Sequence, residues 1–337
     1  MSDATSAFRA AITDAGLVPP DVIIGDSKLH RYSTNGKRSD KSGWYVLHLD
    51  DAPAGAFGCW RHDITETWCG LPDTELTPVK REAVLRRIAE AKALRDREQA
   101  ERWEQNRARL QSTWETAHEL AGGDPVTLYL RRRMQASVWP LPSCLRYHPD
   151  LPYWVDGELI GHYPSMLARF HAPDGRCVGL HKTYLTLDGR KADVPTPKKM
   201  SPTSGSLSGG CIPLAHPIDG TLGVAEGIET ALCAAAGSGI PVVATYSASA
   251  LGAYQWPKGL RRLVIFADND VSGTGQAAAA KLERRARAAG LPVSVLIPQT
   301  PGEDWADVYA RRDALTVDAV ADSLERAHFD DQEGGAT

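Results

Sequence analysis

Two short apolar runs, Leu222-Gly223-Val224-Ala225 and Leu263-Val264-Ile265-Phe266-Ala267, each stop abruptly at acids: Glu226 in the first, Asp268-Asn269-Asp270 in the second. Aliphatic runs without polar alternation predict parallel strands buried on both faces beneath helices. Sheets of that kind place their ligands beyond the carboxyl ends of the strands. Acids gathered there repel one another unless a cation lies between them. Hard carboxylate oxygens suit Mg²⁺ or Mn²⁺, ions that keep several waters and share a substrate phosphate, so the pattern points to metal-assisted phosphate chemistry.

The 337 residues have room for two or three domains. Residues 1–75 alternate in the strand period (Gly43–Leu49, Gly55–Trp60, Thr65–Trp68), which predicts a small antiparallel β domain whose Trp44, Trp60 and Trp68 form its core. From Thr77 to Leu120 there is no glycine and the one proline is Pro78, so residues 76–121 read as a long charged helical linker opened by Thr77-Pro78. Residues 122–215 hold a short Asp124-capped helix with Arg131, Arg132 and Arg133, then strands separated by turns such as Pro173-Asp174-Gly175 and studded with Arg, Lys and Tyr. Residues 216–312 alternate strands with Ala-rich helices, the pattern of a parallel sheet with right-handed crossovers. Residues 313–337 read as a C-terminal helix and an acidic disordered tail. The fold class expected is α+β: an α/β domain with a helix-flanked parallel sheet, a basic mixed lobe, and a small N-terminal β unit joined by a long helix.

Net charge is −4, yet residues 125–200 alone carry +5. A basic region beside an acidic metal site suits a protein that grips a phosphate backbone while acting on one phosphorus, with rings available for bases. No apolar run approaches the ~20 residues of a membrane helix, and no signal peptide opens the chain, so the expected compartment is the cytoplasm without membrane contact. The cysteines (Cys59, Cys69, Cys144, Cys177, Cys211, Cys233) lack a CxxC pair and read as reduced thiols. Cys59, His62 and Cys69, with His48 in reach, are too irregularly spaced for a zinc knuckle, so zinc is not expected.

Taken in order, Gly223–Gly227, Ala244–Ala248, Val264–Gly275 with its Asp268-x-Asp270 and Gly273-x-Gly275, and Glu303–Asp307 resemble the motifs of a Toprim domain. Upstream, Tyr129-Leu130-x-x-Arg133, the stretch from Arg169-Phe170 to Val178-Gly179, and Pro197-Lys198 resemble the catalytic core of bacterial DnaG-type DNA primases, in the form carried by phages, plasmids and mobile elements. The resemblance implies metal binding by Glu226, Asp268 and Asp270, with Asp304 and Asp307 as further acids and one to three Mg²⁺ or Mn²⁺ ions. It implies that Arg133, Arg146, Arg169, Lys182, Lys198 and Lys199 grip the single-stranded DNA template and incoming nucleoside triphosphate. The activity implied is short oligoribonucleotide synthesis by two-metal nucleotidyl transfer. Two departures stand out: Glu229-Thr230 occupies the place of a further aspartate, and the last acids are three residues apart instead of two. Without a Gly-x4-Gly-Lys-Ser/Thr loop, a replicative helicase would be a separate chain. Alternative readings are a Toprim metal-dependent nuclease and a non-catalytic module that binds single-stranded DNA.

Overall fold

The computed structural model describes residues 2–34, 40–50, 52–59, 64–72, 74, 77–134 and 141–311. Trp60, His62 and the expected C-terminal helix and tail lie outside the described residues. The chain divides into two compact units, one of residues 1–102 with 154–160, the other of residues 103–153 with 161–337.

The first unit opens with helix α1 (Ser2–Asp14), which sequence reading did not anticipate, followed by strands β1 (His30–Tyr32), β2 (Gly43–His48), β3 (Ala54–Cys59) and β4 (Ile64–Cys69) in one antiparallel sheet of order β1-β2-β3-β4. Phe8 and Ile12 of α1 are fully buried against Tyr45, Leu47 and Phe57, and the Phe8 ring meets the Tyr45, Phe57 and Trp68 rings edge-on at 6.0, 5.5 and 5.3 Å. The opposite face of the sheet, Trp44, Val46 and Ala56, packs on Ala91 of helix α2 (Pro78–Glu115). Strands β2 and β3 are consequently buried on both faces instead of alternating. The first part of α2 is therefore more than a spacer: Arg87 bonds the Ala52 carbonyl at 2.8 Å and Arg31 pairs with Glu98. Cys59 and Cys69 stand at opposite ends of the β3–β4 ladder, where Cys59 pairs with Ile64 and Cys69 with Ala54. All six cysteines are free thiols.

The second unit contains two sheets. Helix α3 (Pro125–Met134) leads into β5 (Leu145–Val155), β6 (Glu158–His171), β7 (Cys177–Tyr184) and β8 (Lys198–Met200), ordered β5-β6-β7-β8. The α/β layer follows as β9 (Thr221–Ala225), α4 (Ile228–Ser238), β10 (Val242–Ala244), α5 (Ala248–Ala253), β11 (Arg262–Phe266), α6 (Thr274–Ala288), β12 (Val293–Leu296) and α7 (Trp305–Arg311). Its strands are all parallel, in the order β10-β9-β11-β12. Alternate residues of each central strand serve opposite faces. Leu222, Val224, Leu263 and Ile265 pack with Leu251 of α5 and Leu282 of α6. Ala225, Val264 and Phe266 pack with α4, α7, and Met166, Ala168 and Phe170 of the mixed sheet. Each large aliphatic side chain so covered contributes about 1.5–3 kcal/mol, which is why these runs lack polar residues. Among the described residues no helix is long and apolar enough to cross a membrane.

Candidate active site

The strand order reverses at β9. The chain leaves β9 for β10 on one side and returns to β11 on the other, so the carboxyl ends of β9 and β11 flank the switch point where such sheets open a crevice. Phe266 is in register with Ala225. Glu226 and Asp268, one and two residues further on, therefore emerge side by side, although 42 residues separate them in the chain.

The electrostatics record this convergence. Burial, then the nearby Asp304, Glu226 and Asp270 carboxylates, push Asp268 up to about 7, with Asp307 adding to the effect. Burial and Asp270 likewise raise Glu226 above its ordinary value. Asp268 Oδ1 is buried with no hydrogen-bond partner. Among the described residues no three acid, His or Cys side chains stand in the close array of a complete metal cage. Acids that raise one another's pKa values suit a hard divalent ion held by two or three carboxylates, its remaining positions left to water and phosphate oxygens. Glu226, Asp268 and Asp270 would hold it, and the buried, unpartnered Asp268 Oδ1 fits that role.

Gly273 and Gly275 shape the turn after β11. Gly273, at φ 72°, caps α6 in the left-handed region open to glycine. The Gly275 N–H donates to Asp270 Oδ2 at 3.0 Å, and a Cβ on Gly275 would lie only 2.9 Å from that oxygen and 3.0 Å from the Asp268 carbonyl oxygen. The close backbone approach orients Asp270.

Asp304 and Asp307 flank Trp305 at the start of α7. Asp304 Oδ1 accepts from the Ala306 and Asp307 N–H groups at 2.7 and 3.0 Å, while Asp307 Oδ2 accepts from the Asp304 N–H at 3.1 Å. These reciprocal bonds make a capping box, and the three-residue spacing that departs from the resembled pattern is the spacing such a box requires. Asp304 Oδ2 is left to Arg133, 3.4 Å away.

A cavity of about 220 Å³ opens beside the acids, lined by Glu226, Asp268 and Asp304, by Arg133, Lys191 and Lys198, and by His181, Glu229, Thr230 and Tyr246. Tyr129 and Arg133 lie one helical turn apart on α3, so one face of the helix reaches two of the cavity's acids. The Tyr129 hydroxyl donates to Glu229, and Arg133 reaches Asp304. Glu229 is 3% exposed. Burial favours its protonation, but Lys198 at 2.8 Å and the Tyr129 hydroxyl outweigh that and hold it down to about 2. Tyr246 has φ 70°, unusual for a tyrosine, with its N–H bonded to the Glu226 carbonyl at 2.7 Å.

The basic residues expected to act together are divided by the pleat. Met166, Ala168 and Phe170 face the core, and register places His181 opposite Ala168 and Met200, and Thr183 opposite Met166 and Lys198. Lys198 therefore shares the cavity face with His181. Lys182, opposite Leu167 and Lys199, lies with Arg169 on the other face of the sheet. There Lys199 sits 3.9 Å from the Tyr153 ring centroid, and Arg169 and Arg146 lie over the Trp114 ring at 4.2 and 4.8 Å. Arg146 also donates to the Trp114 carbonyl at 3.0 Å. Sequence reading missed His181 and Lys191 in the cavity. Strand alternation could have flagged His181, since a residue next to an outward Lys182 must point inward.

Residues 221–314 match the family model of the Toprim domain, and residues 104–214 match a model described as a domain of unknown function (DUF7146). The chain thus carries a Toprim domain. No curated protein matches the chain. Among solved structures it is similar to a DNA primase domain from Pseudomonas aeruginosa at 17% identity, covering 52% of this chain and 55% of that one, with a TM-score of 0.36. It is similar to the primase fragment of the bacteriophage T7 primase-helicase protein at 18% identity, over 54% of this chain and 65% of that one, TM-score 0.33. It is also similar to the zinc-binding and RNA polymerase domains of the Aquifex aeolicus primase at 13% identity, over 97% and 85%, TM-score 0.41. The chain spans about half the length of the Pseudomonas domain it matches.

Proposed function

We propose, taking the Toprim domain as premise, that this chain is a DNA primase that joins ribonucleotides on a single-stranded DNA template, in the setting of a phage, plasmid or other mobile element served by a helicase on a separate chain. The observation that supports the reading is that Glu226 and Asp268, both raised by the nearby Asp270, line one cavity together with Arg133, Lys191 and Lys198. Carboxylates suit divalent ions and cations suit phosphates. Nucleotidyl transfer needs both at one phosphorus.

In this reading Mg²⁺ or Mn²⁺, when bound by Glu226, Asp268 and Asp270, supplies charge neutralisation at the reacting phosphate and acidifies the attacking hydroxyl. The protein's own part is positioning. Arg133 and Lys198 orient the triphosphate of the incoming nucleotide, Gly275 fixes Asp270, and the α7 capping box fixes Asp304 relative to Arg133. Lys182, Lys199 and Arg169, on the other face of the mixed sheet, are suited to the template backbone.

The test is incubation of the protein with single-stranded DNA, Mg²⁺ or Mn²⁺ and labelled nucleoside triphosphates. New oligoribonucleotides are expected from the wild type and none from Asp268→Ala, which should still retain DNA. Shortened DNA would indicate a nuclease, retention alone a binding module, and undiminished synthesis by Asp268→Ala would remove the acids from the mechanism.

A further inference from the structure

Glu229 occupies the stretch of α4 where the resembled pattern carries another acid, yet its carboxylate is fully committed elsewhere. One oxygen accepts from the buried Tyr129 hydroxyl of α3, the other from Lys198 Nζ of β8 at 2.8 Å. The Glu229 side chain is 4% exposed and that of Lys198 36%, so the pair is anchored at its acidic end and open at its basic end. Three elements meet at this one carboxylate, and α4 begins immediately after Glu226-Gly227. Whatever Glu229 holds is therefore placed rigidly with respect to Glu226.

Lys198 also interacts electrostatically with Glu226, and both line the same cavity. A lysine on a flexible four-carbon stem turns to the best-exposed uncompensated carboxylate within reach. Freed from Glu229, it has Glu226, with which it already interacts, as another partner, and there it would act as a competing cation. We propose that Glu229 is a positioning residue and not a metal ligand: with Tyr129 it restrains the Lys198 ammonium at the phosphate side of the cavity and keeps it off Glu226, so that one site holds a divalent cation and a polyphosphate together. This rests on the primase reading for the identity of the polyphosphate as a nucleoside triphosphate, but not for the restraint itself.

The test uses binding alone. Mn²⁺ affinity, followed by its electron spin resonance signal, and inorganic tripolyphosphate affinity, followed by calorimetry, are measured on the full chain without nucleotide or template. Glu229→Gln is expected to weaken Mn²⁺ roughly tenfold, the effect of one opposite charge moved onto the acids. Lys198→Met combined with Glu229→Gln is expected to restore Mn²⁺ affinity while tripolyphosphate affinity stays low. A collapsed site would not be rescued by a second substitution. Unchanged Mn²⁺ affinity in Glu229→Gln, or a double variant as weak as the single, overturns the proposal. Should Glu229→Gln fail to fold, Lys198→Met alone decides: Mn²⁺ binding equal to or tighter than wild type with tripolyphosphate binding lost supports the restraint, and weaker Mn²⁺ binding overturns it. Failure of primer synthesis with these binding results intact would count against the primase reading only.

Discussion

The indole N–H of Trp305 donates to the carbonyl oxygen of Ala267 at 3.1 Å, tying the helix that carries Asp304 and Asp307 to the residue just before Asp268. Both residues are buried, and the Trp305 ring also meets Phe266 edge-on at 5.5 Å. Two acid groups 36 residues apart are held in one frame by this bond together with backbone bonds from the Asn269 N–H to the Glu303 carbonyl at 3.0 Å and from the Gly302 N–H to the Asn269 carbonyl at 2.6 Å. Trp305→Phe keeps much of the apolar contact but leaves the Ala267 carbonyl without its partner. It should destabilise the protein by about 1–3 kcal/mol, read from denaturant unfolding. A loss below a few tenths would mean that packing and the backbone bonds at Asn269 seat α7 without the indole N–H.

Gly275→Ala separates site geometry from stability. A methyl group there must displace the Asp270 carboxylate, since a Cβ would lie 2.9 Å from its Oδ2, and would crowd the Asp268 carbonyl oxygen at 3.0 Å. Alanine also favours the first turn of α6 by roughly 0.5–1 kcal/mol, offsetting part of the strain. Divalent-ion affinity should fall several-fold while the melting temperature moves by only a few degrees. Unaltered affinity would show that Asp270 need not be held by the Gly275 N–H.

The metal-free protein should carry a pH-dependent cost at Asp268. Its folded-state value is raised from 3.8 to about 7, so the folded form keeps a proton that the unfolded form has already lost. The penalty is absent below the unfolded value, grows as pH rises between the two values, and is complete above the folded one. In chelator, Asp268→Asn should therefore melt higher than wild type at pH 8, with the difference vanishing toward pH 4. Adding Mg²⁺ should stabilise wild type and not the variant. An Asp268→Asn advantage independent of pH would point to packing instead of charge.

Lys182 and Lys199 face each other directly across β7 and β8, and burial together with Lys199 lowers the Lys182 value below that of an ordinary lysine. Like charges facing each other in this way repel, and a phosphate beside them would relieve the repulsion. Lys182→Gln is expected to weaken single-stranded DNA binding and to reduce the slope of log affinity against log salt by about 0.7, leaving Mn²⁺ affinity unchanged. An unaltered slope would mean that this face does not contact the phosphate backbone.

How much of this was legible in the chain depends on how local the signal is. Leu263–Ala267 could be read as a doubly buried strand because every residue in it had to be apolar, and Gly273-x-Gly275 as part of the resembled motif, Gly273 for its φ of 72° and Gly275 for the closeness of Asp270 Oδ2. Helix α1 went unseen because its Phe8 and Ile12 gain their meaning only when Tyr45 and Phe57 arrive from the sheet. Asp304 and Asp307 read as further acids at the rim, and their three-residue spacing is also that of a capping box, which took the backbone to reveal.

The sequence by itself determined the parallel sheet, the acids at its strand ends and the order of the elements, because burial on both faces and helical or strand periodicity act within a few residues. Only the tertiary structure decided which charges share a cavity. Lys182 and Lys198 differ by strand register, and Glu229 finds Tyr129 from 100 residues away. Pairings of that kind are settled by packing among distant segments, where a shift of one residue turns a side chain to the opposite face.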